Sequence, residues 1–210
     1  MAILLLDYDG VIADSLSLES EYFVPICRKR GIKAISAQND LVELCKDKNL
    51  CVRLEETGVP VEVYLDAYNE YQREAERVGA KALPFPGMIE LLREIINRIP
   101  VYIVTSNIYK FPEEMFHRFG IEGIKGIYSL DMNLDKTEKI NLIMKLHPGE
   151  KFYFVTDSTG DVAEARAANV DVIIAVSWGW LDRKSLEESK PDFLFDEVFE
   201  LDRFIKNEIL

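Results

Sequence analysis

Histidine is scarce in this chain of 210 residues: His117 and His147 are the only two. A multi-histidine metal centre and a histidine-based nucleophile triad are therefore improbable. Cysteine is almost as scarce, with Cys27, Cys45 and Cys51. An odd number without Cys-x-x-Cys spacing speaks against a disulfide framework and a thiolate zinc site. Cys45 and Cys51 are near enough in sequence to pair, but reduced, buried thiols are the expectation. No run approaches the roughly 20 apolar residues of a membrane span. Leu4-Leu5-Leu6 is too short for a secretory core and has no basic segment before it, so a cytoplasmic location is expected. Positive charge is also in deficit, with 25 basic against 37 acidic residues and a net charge of −12. That balance disfavours nucleic acid and anionic membranes as partners. It admits a small anionic substrate only where a pocket is locally positive or metal-loaded. Internal repeats and low-complexity segments are absent from the sequence.

Apolar residues make up 48% of the chain, enough for a substantial core. Short continuous apolar runs recur at residues 3–6, 101–104, 152–155 and 172–176, with a shorter edge candidate at 193–195. Runs of this kind suit strands buried on both faces of a parallel sheet. Residues 88–96, 140–144 and 162–167 repeat at helical spacing between them. Alternating strand and helix predicts a Rossmann-like, doubly wound α/β core. Residues 15–83 break the alternation. They hold amphipathic helical stretches at 18–30, 40–46 and 61–78, punctuated by Gly31, Gly58-Val59-Pro60 and Gly79. The reading is one core domain, residues 1–14 and 84–210, with a small all-helical cap, residues 15–83, inserted between the first and second strands.

The polar residues that end the apolar runs carry the chemistry. Ligands of open α/β sheets bind beyond the carboxyl ends of the strands. There stand Asp7 and Asp9, then Thr105-Ser106-Asn107, then Thr156-Asp157-Ser158 with Asp161. In a regular strand Asp7 and Asp9 would share a face, and carboxylates that close repel unless a cation or a shared proton intervenes. Magnesium takes oxygen ligands, typically one or two carboxylates with water and substrate phosphate. Asp7 and Asp157, with a contribution from Asp9 through its backbone carbonyl, form the candidate metal set. Asp161, one helical turn beyond Asp157, orients its neighbours or a metal water.

Asp7-Tyr8-Asp9-Gly10-Val11-Ile12-Ala13-Asp14-Ser15 resembles the first motif of the haloacid dehalogenase superfamily. The run 101–107, with Thr105-Ser106-Asn107 at its end, resembles the second motif, Asp135-Lys136-Thr137 the third, and the run 154–161, from Phe154 through Asp157 to Asp161, the fourth. Pro84-Phe85-Pro86-Gly87 and Ser177-Trp178-Gly179-Trp180 match further landmarks, so the resemblance runs in order over nearly the whole chain. It points to subfamily I phosphatases with a helical cap, of the phosphoglycolate phosphatase-like kind. The resemblance implies a magnesium-dependent phosphatase for a small phosphorylated metabolite. Asp7 would be the nucleophile that becomes aspartyl-phosphate, and Asp9 the acid and then the base. Thr105 and Lys136 would stabilise the transferring group, and Ser106 and Asn107 would bind substrate. The cap would close over the substrate and set specificity.

Two departures stand out. The fourth motif usually opens Gly-Asp, and here Thr156 takes the glycine's place, where a side chain would narrow the phosphate pocket. The third lacks the frequent Lys-Pro, which leaves Lys139 as a rival to Lys136; Lys136 is preferred because it precedes the helix. The acid at Asp9 disfavours the dehalogenase branch. A phosphomutase, a non-catalytic phosphate-binding module and, less attractively, a phospho-acceptor signalling domain are the alternatives. Asp14 reads as a hinge or cap contact, or as a simple Asx turn. Trp178 and Trp180 read as rim or loop packing, His117 and His147 as surface residues, and Arg28, Lys29, Arg30 and Arg53 mostly as solvated helix charges.

Overall fold

The computed structural model describes residues 2–46 and 56–210. Arg53 and the Cys45–Cys51 pairing lie outside the described residues. The strands are β1 (Ala2–Leu6), β2 (Ala13–Asp14), β3 (Leu83–Pro84), β4 (Val101–Val104), β5 (Gly126–Tyr128), β6 (Lys151–Thr156), β7 (Val172–Val176) and β8 (Phe193–Phe195). Six of them form a parallel sheet in the order β5-β4-β1-β6-β7-β8. Counted within that sheet, the order is 3-2-1-4-5-6, that of a doubly wound fold, so strand order reverses where β1 meets β6. β2 and β3 pair apart from it.

The apolar runs form strands because both faces of the sheet are covered. Ile3, Leu4, Leu5, Ile103, Phe154 and Ile174 are fully buried. On one face Ile3, Leu5, Val104, Phe152 and Phe154 pack with Ile140 and Ile143 of α6 (Lys136–Leu146) and with Val162 and Ala165 of α7 (Thr159–Ala167). The 193–195 run is indeed an edge strand. β5 carries no strand signal in the sequence. It has three residues, begins with glycine and is only half buried, so it shows neither an apolar run nor alternation. Its pairing with β4 is what makes it a strand.

By contact the chain divides into Met1–Ala13 with Pro84–Leu210, and Asp14–Leu83. The described helices of the second unit are α1 (Ser15–Lys29), α2 (Gln38–Cys45) and α3 (Val61–Val78); α4 (Met88–Ile95) and α5 (Lys110–Phe119) belong to the first. Asp14 starts α1 as its N-cap, accepting from the Ser17 N–H at 3.1 Å and the Ser17 hydroxyl at 2.7 Å. Phe23 is the centre of the unit, with the rings of Tyr64, Tyr68 and Tyr71 at 5.6, 5.6 and 5.7 Å. Lys29 and Arg30 both reach Glu70 of α3, and Arg28 donates to the Ser36 carbonyl. These basic residues tie the helical unit together. The Cys27 thiol is buried, and burial pushes its pKa up to about 12. A Cys45→Ser/Cys51→Ser protein should therefore react with a thiol reagent at about pH 8 far more slowly native than in denaturant, because the thiolate is the reactive form.

Candidate active site

The site grows from the switch point. The Asp7 N–H donates to the Val155 carbonyl at 2.9 Å, extending the β1–β6 pairing one residue past the strand. Asp7 at the end of β1 is thereby held beside the end of β6, which delivers Asp157. Both carboxylates are buried. Asp7 Oδ1 accepts the Tyr8 N–H at 2.8 Å, and Asp7 Oδ2 lies 2.8 Å from Lys136 Nζ. The same ammonium lies 2.6 Å from Asp161 Oδ2. Lys136 is the first residue of α6, whose start is fixed by Asp135 and Glu138 in a reciprocal capping box.

Lys139, the rival assignment, is buried one turn further along. Its ammonium donates to the Thr105 carbonyl at 2.9 Å, so it braces the end of β4. The electrostatics separate the two lysines. Burial opposes the charge on Lys136, but Asp161 and Asp7 outweigh it and hold the ammonium above its usual range. Burial and the charge of Lys136 bring Lys139 below its usual range.

Asp157 sits in a cradle. Its Oδ2 accepts the Trp180 N–H at 2.6 Å. A Cβ on Gly10 would stand 1.7 Å from that oxygen, and one on Gly179 would stand 2.3 Å from both it and the Gly10 carbonyl. Gly10 also has φ +72°, in the left-handed region. The glycine between the two tryptophans is the sequence signal that locates this wall, and it gained meaning only with the fold. Trp178 contributes its indole N–H to the Val11 carbonyl at 3.2 Å.

Asp9 does not follow from strand geometry. Regular structure ends at Leu6, and the Ile12 and Ala13 N–H groups both turn back to the Tyr8 carbonyl. Asp9 therefore lies in a tight turn, and its carboxylate meets Asn107 Nδ2 at 3.0 and 3.3 Å. Thr105 is fully buried, its hydroxyl oxygen accepting the Asn107 N–H at 2.9 Å, while Ser106 is exposed. Thr156, the departure from glycine, turns its hydroxyl away to donate to Asp161 Oδ2 at 2.6 Å and accepts the Ser158 N–H at 3.1 Å. Asp161 is thus pinned between Lys136 and Thr156. His147 is half-buried and bonded to the Tyr102 hydroxyl at 2.7 Å, not a plain surface residue.

Burial raises Asp7 well above the usual carboxylate range; Lys136 opposes this, while the charges of Asp161 and Asp157 add to it. Burial raises Asp157 to about 7, against the Trp180 N–H and with the help of Asp161. A raised acid favours the folded chain while protonated. Its contribution is full below the unfolded value, 3.8, and is lost as pH rises through about 7. Metal-free protein should lose stability between about pH 5 and about pH 8 relative to Asp157→Asn, which has no proton to lose. Urea unfolding of both at the two pH values checks this; parallel behaviour would refute it.

The model of the family described as haloacid dehalogenase-like hydrolase matches residues 4–175. The chain belongs to this family. The chain is 29% identical over 122 residues to the phosphoglycolate phosphatase of Synechococcus elongatus, a stretch covering 56% of this chain and 57% of that one. Among solved structures, it is similar to one described as a predicted phosphatase from Clostridium acetobutylicum, with TM-score 0.79, 20% identity and 98% of each chain covered. A hydrolase from Pseudomonas syringae aligns with TM-score 0.77, 15% identity and 99% of each chain covered. At these identities the two structures attest the fold.

For a hydrolase of this family, the donor set can be weighed against magnesium. Among the described residues no three His, Cys, Asp or Glu side chains converge on one metal position. Two carboxylates, Asp7 and Asp157, are buried here, the charge of Asp157 helps to raise Asp7, and the ammonium of Lys136 is shared between Asp7 and Asp161. Negative charge exceeds positive there, and two carboxylates are the usual protein share for an ion that keeps water and phosphate as its other ligands. The residues fit such an ion.

Proposed function

We propose that this chain is a magnesium-dependent phosphatase that hydrolyses a small phosphorylated metabolite through an aspartyl-phosphate on Asp7. The observation that carries the reading is the convergence at the switch point: Asp7, buried, with Lys136 at 2.8 Å and Asp157 delivered by the adjacent strand. Asp7 would attack phosphorus in line, and Asp9 would protonate the leaving oxygen and then take a proton from the hydrolytic water. Lys136 neutralises Asp7 and Asp161 and keeps the nucleophile oriented. The Thr105 hydroxyl, whose oxygen already accepts the Asn107 N–H, would donate its proton to a phosphoryl oxygen. Bound magnesium, held by Asp7 and Asp157 with Asp9 supplying its backbone carbonyl, would neutralise charge on the transferring group.

The helical residues 15–83 are assigned the role of a cap that sets specificity, and the remainder that of the core. Among the described residues no helix is long and apolar enough to cross a membrane; the cytoplasm is the proposed compartment. Phosphoglycolate is the first compound to test, because the Synechococcus relative carries that activity in its name. Phosphate release from para-nitrophenyl phosphate, then from a panel of phosphorylated metabolites, tests the reading. EDTA should abolish turnover and magnesium should restore it; indifference to both would refute the metal assignment.

A further inference from the structure

The carboxamide of Asn107 has little freedom. Its Oδ1 accepts the Ile108 N–H at 2.8 Å, so its amino group is the end that faces Asp9. Its backbone N–H donates to Thr105 Oγ1 at 2.9 Å, and its backbone carbonyl accepts the Leu130 N–H at 2.8 Å. Backbone and side chain are both anchored, and the amino group meets both oxygens of Asp9, at 3.0 and 3.3 Å. A residue tied in this way is built to hold a neighbour. Asp9 needs holding, because it sits in a turn beyond the end of β1 and not in the sheet. An unanchored Asp side chain has three staggered χ1 wells, and proton transfer needs one of its oxygens within about 2.6–3.2 Å of the leaving oxygen.

We infer that Asn107 is a positioning residue for Asp9, and that it serves the proton transfer and not substrate recognition. The inference rests on the phosphatase reading above. In the step concerned, an Asp7 oxygen bonds to phosphorus and the bond from phosphorus to the ester oxygen breaks. The electron pair stays on that ester oxygen, which takes the proton from the Asp9 carboxyl. In the second half a water oxygen bonds to phosphorus, its proton passes to the Asp9 carboxylate, and the bond to Asp7 breaks with its electron pair returning to Asp7. Loss of the Asn107 contact leaves Asp7, Asp157 and Lys136 in place and misplaces only the proton donor. The cost therefore grows as the leaving group becomes a poorer one.

The test compares kcat/KM, which covers the steps through Asp7 phosphorylation, for para-nitrophenyl phosphate and for phenyl phosphate, whose leaving group needs the proton more. Asn107→Ala should lose about tenfold more on phenyl phosphate than on para-nitrophenyl phosphate, a fraction of the roughly 10²–10⁴-fold that a positioned proton transfer supplies. Asn107→Asp preserves the acceptor for the Ile108 N–H and replaces the donor to Asp9 with a like charge; it should show an unequal loss at least as large. Asp9→Asn should show it more strongly. An equal loss on both esters, or a raised KM with kcat unchanged, overturns the positioning role in favour of loop integrity or substrate binding. A crystal structure of Asn107→Ala gives a readout independent of turnover: a displaced Asp9 carboxylate supports the inference, and an unmoved one overturns it. Should the wild-type protein hydrolyse neither ester, the phosphatase reading fails, and the crystal structure alone decides the positioning of Asp9.

Discussion

Asp7→Asn should lower ester hydrolysis by at least about a thousandfold while leaving the protein folded. The carboxylate is asked to form a bond to phosphorus, and a carboxamide is a far weaker nucleophile; removing a nucleophile costs rates of this order or more. Stability should behave in the opposite way to activity. Asp7 is buried, and its charge is opposed by Asp161 and Asp157. The substitution removes one of those crowded charges and keeps the side-chain shape. Lys136 loses one partner but retains Asp161 at 2.6 Å, so no lone buried charge remains. The change in unfolding free energy should stay within about 1 kcal/mol. Steady-state turnover and urea unfolding of the same preparation check both halves. Wild-type-like turnover would remove Asp7 as nucleophile, and a lost fold would show that the site is a structural ion cluster.

Lys136→Met carries the second large effect, and here stability should fall together with activity. The substitution withdraws the cation shared by Asp7 and Asp161, both buried. Removing one member of a buried ion pair costs about 3–5 kcal/mol, because the remaining charge is left uncompensated. Turnover should fall as well, since in the proposed mechanism the ammonium, 2.8 Å from Asp7, is what orients the nucleophile. Lys139→Met is the contrast. Its ammonium meets a backbone carbonyl, that of Thr105, so its loss strands a neutral acceptor at about 1–3 kcal/mol. It should spare much of the turnover. Adding Asp161→Asn to Lys136→Met should return part of the lost stability without returning activity, since the double variant has one lone charge fewer. Greater damage to turnover from Lys139→Met would reverse the assignment of the two lysines.

Much of the fold is legible in the sequence. The central strands announced themselves as apolar runs because a strand covered on both faces has no polar side to show. The acids that follow them, Asp7 and Asp157 just past strand ends and Asp161 in the first turn of the next helix, stood out against those runs. What escaped were features that short range does not encode. β5 is three half-buried residues that take their conformation from β4. Asp7 and Asp9 would share a face only in a strand that continued through both, and the strand ends at Leu6. Thr156 read as a bulkier substitute for glycine; its hydroxyl instead holds Asp161.

The sequence by itself determined the fold class, the identity of the acids and their place at strand ends, because apolar periodicity and residue chemistry are local properties. Only the tertiary structure decided which groups share a charge. Lys136 and Lys139 are three residues apart, yet one meets Asp7 and Asp161 while the other meets a carbonyl of β4. That difference is set by where α6 lies against strands distant in sequence. It is enforced physically because a buried charge is tolerated only beside its counter-charge or hydrogen-bond partner.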